Sequence, residues 1–314
     1  MKIVALALVT LLQCAVALAQ PFGGYLQADS AHFRVLFRPE DSGTQRVLWN
    51  SLRTGVTRLE TALGIPLRDT VTFIITPTRE EWRRITGGAP DWAQGISDPY
   101  HRVTILKSPR YGDPLRPFNV TAVHELVHLL LRTGHPDVFI PRWLDEGLAQ
   151  ILSGESLDLR TSLISQAVLS GRIHNFFQIE HVMGMRAQEA SLAYAESITA
   201  VDLLIRTYGW DGVRKYAAAL RSGLEPDEAF IRVFGIHLGE FEGQWFDYLR
   251  RTYRFSLFHN WEFYLGIIFL PFLALAGLAA WHRRRTILKR WEEEERAGSV
   301  GGMSEEYPPG EDYD

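Results

Sequence analysis

Residues 124 to 128 read HELVH. On a helix, His124 and His128 lie one turn apart on the same face, so their imidazoles can converge on one metal ion. Glu125, beside the first histidine, can then reach a water on that ion. A hydrolytic zinc site needs a third protein ligand and one position left open. Residues 142 to 150, RWLDEGLAQ, offer Glu146 for a set of two histidines and one carboxylate, with Asp145 as its competitor. Such a site polarises a carbonyl and activates water, which is the chemistry of amide hydrolysis.

These groups need a rigid frame. Val120, Ala122, Val123, Leu126, Val127, Leu129, Leu130 and Leu131 surround the motif on nearly every side. A helix apolar all round is a buried one. Polar groups buried without partners cost ~2–7 kcal/mol each, and a zinc ion supplies the histidines with a partner. Asn119 stands where this helix would begin. The triplet Asn119-Val120-Thr121 also fits a glycosylation sequon, but an N-cap is the better reading there.

Upstream, HFRVLFR (32 to 38) alternates as a strand does. Val47, Leu48, Leu52, Val56, Leu59 and Leu63 recur at helical spacing from Ser42 to Leu63, and Gly64 and Pro66 close that helix. VTFII (71 to 75) reads as a short buried strand. Thr78 caps a helix running to Ile85. Residues 92 to 97 and 102 to 106 read as two further strands joined by a turn at Asp98-Pro99. Beyond Pro117 the pattern is almost wholly helical, punctuated at Ser222-Gly223, Pro226 and Gly235. The fold class is therefore α+β, with an α+β lobe over residues 20–154 and a helical lobe over 155–253.

HELVH followed by WLDEGLA resembles the gluzincin zinc metallopeptidases, in particular the peptidase MA-like family. There HExxH is followed by a W-x-x-E-G-x-A helix bearing the third ligand. The resemblance extends roughly from His32 to Tyr253. Its weaker parts, AYAESITAVDLLIRTYG and GEFEGQWFDYLRR, are similar to the family's helical half. It implies a zincin-like fold, with a mixed-sheet lobe and a helical lobe around a zinc cleft, and a peptide or protein substrate. It implies one Zn2+ held by His124, His128 and Glu146, with Glu125 as the base. It also implies a Tyr or His from the helical half as donor to the oxyanion. Tyr194 matches best, and a packing role is its competing reading.

Some gluzincins place an Asp one turn after the third ligand, where it accepts from the first histidine. This chain has Gln150 there, which brings a carbonyl but no charge. The resemblance also places RVTIL (102 to 106) at the rim of the cleft, as an edge strand to which an extended peptide can add. For Arg142 a surface ion pair is the favoured reading, with contact to the substrate as its competitor. His101, His135, His174 and His181 read as surface or structural residues.

Composition narrows the alternatives. The chain has 314 residues, a formal charge of -4, 46% hydrophobic and 22% charged residues. That balance excludes a strongly basic nucleic-acid binder. The single cysteine, Cys14, lies in an apolar N-terminal stretch, so a chain processed after it has no thiol for disulfides, iron–sulfur clusters or a nucleophile. Residues 1–19 read as a secretory signal ending in Ala17-Leu18-Ala19. Residues 263–281, FYLGIIFLPFLALAGLAAW, carry no charge and are followed by Arg283, Arg284, Arg285, Lys289 and Arg290. This predicts one transmembrane helix whose C-terminal side is cytoplasmic and whose N-terminal side is periplasmic or extracellular. Residues 254–262 are then a linker, and 282–314 a cytoplasmic tail read as disordered. The sequence supports a membrane-anchored extracytoplasmic metallopeptidase, and leaves open an inactive zincin-fold binding or scaffold protein of the cell envelope.

Overall fold

Alternation in the strands sets up the two faces of the sheet. In Val71–Thr76 (β3), Val71, Phe73 and Ile75 enter the main core, while Ile74 points into a second, smaller cluster with Trp82, Ile85, Ala93 and Ile105. A computed structural model describes residues 23–111, 116–155, 160–254 and 261–301, with the side chains of 261–268 and 297–301 outside that description. The expected signal, 1–19, lies outside the described residues.

In chain order the elements are β1 (Leu26–Asp29), β2 (Phe33–Phe37), α1 (Ser42–Leu63), β3, α2 (Arg79–Thr86), β4 (Gly95–Asp98), β5 (Val103–Lys107) and α3 (Phe118–Leu131). They continue as α4 (Arg142–Ser153), α5 (Thr161–Ser170), α6 (Phe176–Ile179), α7 (Ala187–Arg221), α8 (Pro226–Phe234), α9 (Leu238–Tyr253) and α10 (Trp261–Gly301). The sheet is mixed and five-stranded, in the order β1-β2-β3-β5-β4. β2, β3 and β5 are parallel, and β1 and β4 pair antiparallel at the two edges. The chain divides into two compact units, Met1–Ser256 and Leu257–Asp314.

Several local expectations meet the structure directly. Thr78 accepts a hydrogen bond from the Glu81 N–H at 3.2 Å and caps α2. Helix α1 spans Ser42–Leu63 with Leu48, Leu52, Leu59 and Leu63 buried.

Others need correction. Residues 102–106 are not an edge: β5 pairs with β3 on one side and β4 on the other, and Thr104 is fully buried. The turn after β4 is the cause. Asp98 Oδ1 accepts from the N–H groups of Tyr100 and His101 at 3.0 and 3.2 Å, folding β4 back along the outer side of β5. Strand β1 carried little signal in the sequence, because LQAD alternates over only four residues and has a single large apolar side chain. It forms by pairing with β2, where Arg34 and Asp29 lie 2.9 Å apart. The N-cap of α3 is Pro117, and Asn119 sits exposed inside the first turn.

One glycine sets the distance between α4 and α7. A Cβ at Gly147 would lie 2.4 Å from the Ser197 carbonyl oxygen and 2.4 Å from Val201 Cγ2. Only a residue without a side chain permits this approach, and it brings Tyr194, one turn before Ser197–Ile198, to the helix that carries Glu146.

Helix α10 continues past Trp281 to Gly301, so residues 282–301, read as part of a disordered tail, are helical. The stretch HRRRTILKRWEEEER is rich in good helix formers and contains neither glycine nor proline. Residues 302–314 lie outside the described residues. Among the described residues no helix is long and apolar enough to cross a membrane. The side chains of 261–268, which open the expected span 263–281, fall outside that description, and within 269–281 Phe269, Leu270, Phe272, Leu273 and Leu275 are all exposed.

Candidate active site

Helix pitch places His124 and His128 on one face of α3, with ring centroids 4.9 Å apart. Glu146 comes to them from α4. Its Oε2 lies 3.3 Å from His124 Nε2 and 3.7 Å from His128 Nε2. One ligand atom from each of the three residues lies within 4.8 Å of the other two.

The far side of each imidazole is already engaged. His124 Nδ1 is 2.9 Å from Glu155 Oε1, and His128 Nδ1 is 2.6 Å from Asp145 Oδ1. Asp145 accepts from His128 Nδ1, while His124 Nδ1 lies between Glu155 Oε1 and the Arg116 guanidinium at 2.8 Å, and both Nε2 atoms face the centre. Glu146 Oε2 is buried there with no hydrogen-bond partner. A buried carboxylate oxygen and two imidazole nitrogens facing one another at this range need positive charge between them, a proton or a metal ion. The residues therefore fit a metal ion, and their donor types suit zinc.

The electrostatics point the same way. Burial alone would lower the His128 pKa, but the Asp145 and Glu146 carboxylates push it up to about 9. Burial opposes ionisation of Asp145, yet Arg132 and His128 hold its pKa far below the usual range. Glu146 is held low against burial by His128, His124 and Arg142. Glu155 is brought down to about 2, against burial, by His124, Arg116 and Arg160. The site is thus built of ionised carboxylates that favour positive charge at its centre.

Glu125 faces the same cleft from α3 and is 5% exposed. Ser97 Oγ on β4 donates to Glu125 Oε2 at 2.8 Å, and itself accepts from Thr104 at 2.9 Å. Gly95 makes the close approach of β4 possible. A Cβ there would sit 2.7 Å from Glu125 Cγ and 2.8 Å from its Oε1. The cleft encloses about 1220 Å³, with Trp92, Ile96, Val120, Leu163 and Met183 among its apolar walls.

Tyr194, from α7, lines this cleft and packs edge-on against Trp92 at 6.1 Å. Its hydroxyl makes no hydrogen bond to the described residues. Burial, reinforced by Glu146, raises its pKa well above 10.0, so the hydroxyl keeps its proton.

Some partners escaped the sequence. Asp145, weighed as a rival third ligand, instead orients His128 and pairs with Arg132 at 2.7 Å. Glu155 had no spacing signal at all. Gln150 does not touch His124: its Nε2 donates to the carbonyls of Glu146 and Tyr194 at 3.0 and 2.9 Å, and its Oε1 accepts from Arg160. Arg142 is no surface ion pair but part of the cleft wall. His174 pairs with buried Glu196, and His101 with Asp98 at the cleft rim, away from the three converging ligands.

The sequence model of the family described as the Peptidase MA superfamily matches residues 51–251, a stretch that contains every residue of this constellation. A search of curated proteins finds no match. The matched stretch covers more than half of the chain, and the chain belongs to the peptidase MA superfamily.

Proposed function

We propose that this chain is a membrane-anchored, extracytoplasmic zinc metallopeptidase in which His124, His128 and Glu146 hold the zinc and Glu125 is the general base. The observation that carries this reading is the buried, unpartnered Glu146 Oε2 facing two outward-directed Nε2 atoms. Zinc bound there polarises the scissile carbonyl and brings the pKa of a water to about 7. Glu125 takes the proton of the attacking water and delivers it to the leaving amine. The hydrogen bond from Ser97 fixes one of its carboxylate oxygens and leaves the other for that work. Tyr194, kept protonated, donates to the oxygen on which charge develops.

The anchoring reading rests on sequence. An apolar stretch at 263–281 ends in a basic cluster, and the N-terminal 1–19 pattern suits export. The exposed apolar side chains of the described part of α10 support it, because a helix apolar on every side needs a nonaqueous cover.

The test uses the full chain in detergent. Elemental analysis should give one zinc per chain. A mixed peptide library should be cleaved, with loss of cleavage on chelation and recovery on adding zinc. A chain that takes up no metal on titration would sink the proposal. For topology, protease added to intact spheroplasts should digest the N-terminal unit and spare a C-terminal tag; digestion of the tag from outside would reverse the assignment.

A further inference from the structure

Among the described residues, three guanidiniums face the cleft with too few carboxylates to occupy them. Arg116 and Arg160 share one acid, Glu155, at 2.6 and 2.7 Å, and that acid already lies 2.9 Å from His124 Nδ1. Arg142 is less engaged still. Its closest carboxylate oxygens are Glu146 Oε1 at 3.5 Å and Asp145 Oδ2 at 4.0 Å, and its side chain makes no hydrogen bond to the described residues. Both acids are committed elsewhere, Asp145 to His128 and Arg132 and Glu146 to the converging ligand set. All three arginines lie within electrostatic reach of Glu146, and the Tyr194 phenol senses Arg142 and Arg116 most strongly among them. All three line the cleft.

The position of Arg142 is also costly on local grounds. It is the first residue of α4, where the helix dipole disfavours a cation. Its side chain remains 31% exposed toward the cleft, so donors are available to an incoming group. Charge accounting agrees. Among the described residues here, Glu125, Glu146 and Glu155 offset the three arginines, as Asp145 offsets Arg132, and a divalent ion at Glu146 would tip this part of the cleft toward positive charge. Apolar walls strengthen that field.

We propose that Arg142, backed by Arg116 and Arg160, binds a carboxylate of the substrate next to the scissile bond, so that the cleft selects peptides with an acidic group there. This rests on the peptidase reading above. The planar guanidinium meets a carboxylate through two parallel N–H donors, which an ammonium cannot reproduce. The carboxylate is either a free C-terminus or an Asp or Glu side chain.

The experiment measures binding by calorimetry to the full chain in detergent carrying Glu125→Gln, in metal-loaded and metal-free forms. Four probes separate the sources: acetyl-Ala-Ala-Ala with a free carboxylate, the same peptide as its amide, and acetyl-Ala-Glu-Ala amide against acetyl-Ala-Gln-Ala amide. At least one acidic probe should bind about tenfold or more tighter than its neutral twin, as a charged hydrogen bond implies. The pair that shows the preference identifies the source. Arg142→Gln should abolish the preference, and Arg142→Lys should restore it only in part. The acid–neutral comparison in the chain with Arg142 intact does not depend on any arginine variant folding.

Equal binding of acidic and neutral probes overturns the proposal, as does failure of all four to bind at millimolar concentration. A preference present only with metal and unchanged by Arg142→Gln also overturns it, since the carboxylate then sits on the ion. Equal hydrolysis of acidic and neutral peptides by the wild-type chain overturns it while leaving the peptidase reading intact. Absence of any hydrolysis with the Arg142-dependent preference retained overturns the peptidase reading and leaves the carboxylate site standing.

Discussion

Helices α3 and α10 both carry long apolar runs, and they meet opposite surroundings. In α3, Leu126 and Leu130 are 0% exposed, walled in by the sheet, α1 and α4. In α10, Phe269 and Leu270 are 58% and 67% exposed. The polar content differs as sharply. α3 holds His124, Glu125 and His128 in its interior, each engaged by a partner from another element. Between 269 and 281, α10 has no charged residue at all, and the first cations come in the turn after Trp281, where Arg285 lies over the Trp281 ring at 4.0 Å. An apolar run establishes that a helix must be covered. The polar groups within it tell whether the cover is protein, which can supply partners, or a medium that cannot.

The sharpest way to break this contrast is to put the same charge into both helices. Leu126→Arg places an unpaired cation in the middle of the core, a penalty on the scale of the whole stability of a domain, about 5–15 kcal/mol. The cooperative unfolding transition of the N-terminal unit should disappear. Survival of that transition at an unchanged midpoint would show that α3 is not covered as described.

Next in size are the interior polar groups of α3. Glu125→Gln should lower turnover by about 10²–10⁴-fold, the range for a lost general base, while zinc content stays at one per chain. His128→Ala should take up no metal, and its melting temperature should not rise on adding zinc, whereas the proposed site requires such a rise in the wild type. Loss of metal in Glu125→Gln would make Glu125 a ligand rather than a base.

Leu273→Arg tests the other helix. It should leave the unfolding transition of the N-terminal unit unchanged and weaken membrane retention by about 2.5–3.5 kcal/mol. Full retention after alkaline and high-salt extraction would argue against anchoring by this segment.

A smaller effect tests the cover itself. Gly147→Ala forces α7 away from α4, an overpacking cost of about 1–3 kcal/mol. The melting temperature should fall, and turnover with it, as Tyr194 moves. The smallest expected change is Ser97→Ala, which frees Glu125 Oε2. The turnover number should drop several-fold, by about 1 kcal/mol, with KM and zinc content little changed. A rise in KM at constant turnover number would assign Ser97 to substrate binding instead.

Much of the site was legible because its chemistry is local in sequence. One helical turn separates the two histidines, and the WLDEG helix announces the carboxylate that joins them. The helix at Ser42–Leu63 follows from its apolar spacing, and the strands at 71–75 and 102–106 from short runs rich in β-branched residues. Sheet order was not legible. Whether β5 or β4 forms the edge depends on how a short turn folds back, and both segments alternate equally well. The orienting acids were hidden for a related reason. Glu155 reaches His124 across 31 residues and Asp145 reaches His128 across 17, and neither separation is a helical or strand period.

The sequence by itself determined the donor types, their placement on buried helices and the two apolar runs, because these depend on residue chemistry and backbone period. Tertiary structure decided which nitrogen of each histidine faces inward, by setting Glu155 and Asp145 behind the rings. It also decided that Ser97 holds Glu125, that Tyr194 shares the cleft, and that Arg142 turns into it rather than to solvent. Each of these is a meeting of elements whose distance is fixed by packing, as Gly147 against Ser197 and Gly95 against Glu125 make plain. Contact between distant segments follows from the shape of the whole core, which no local stretch of sequence encodes.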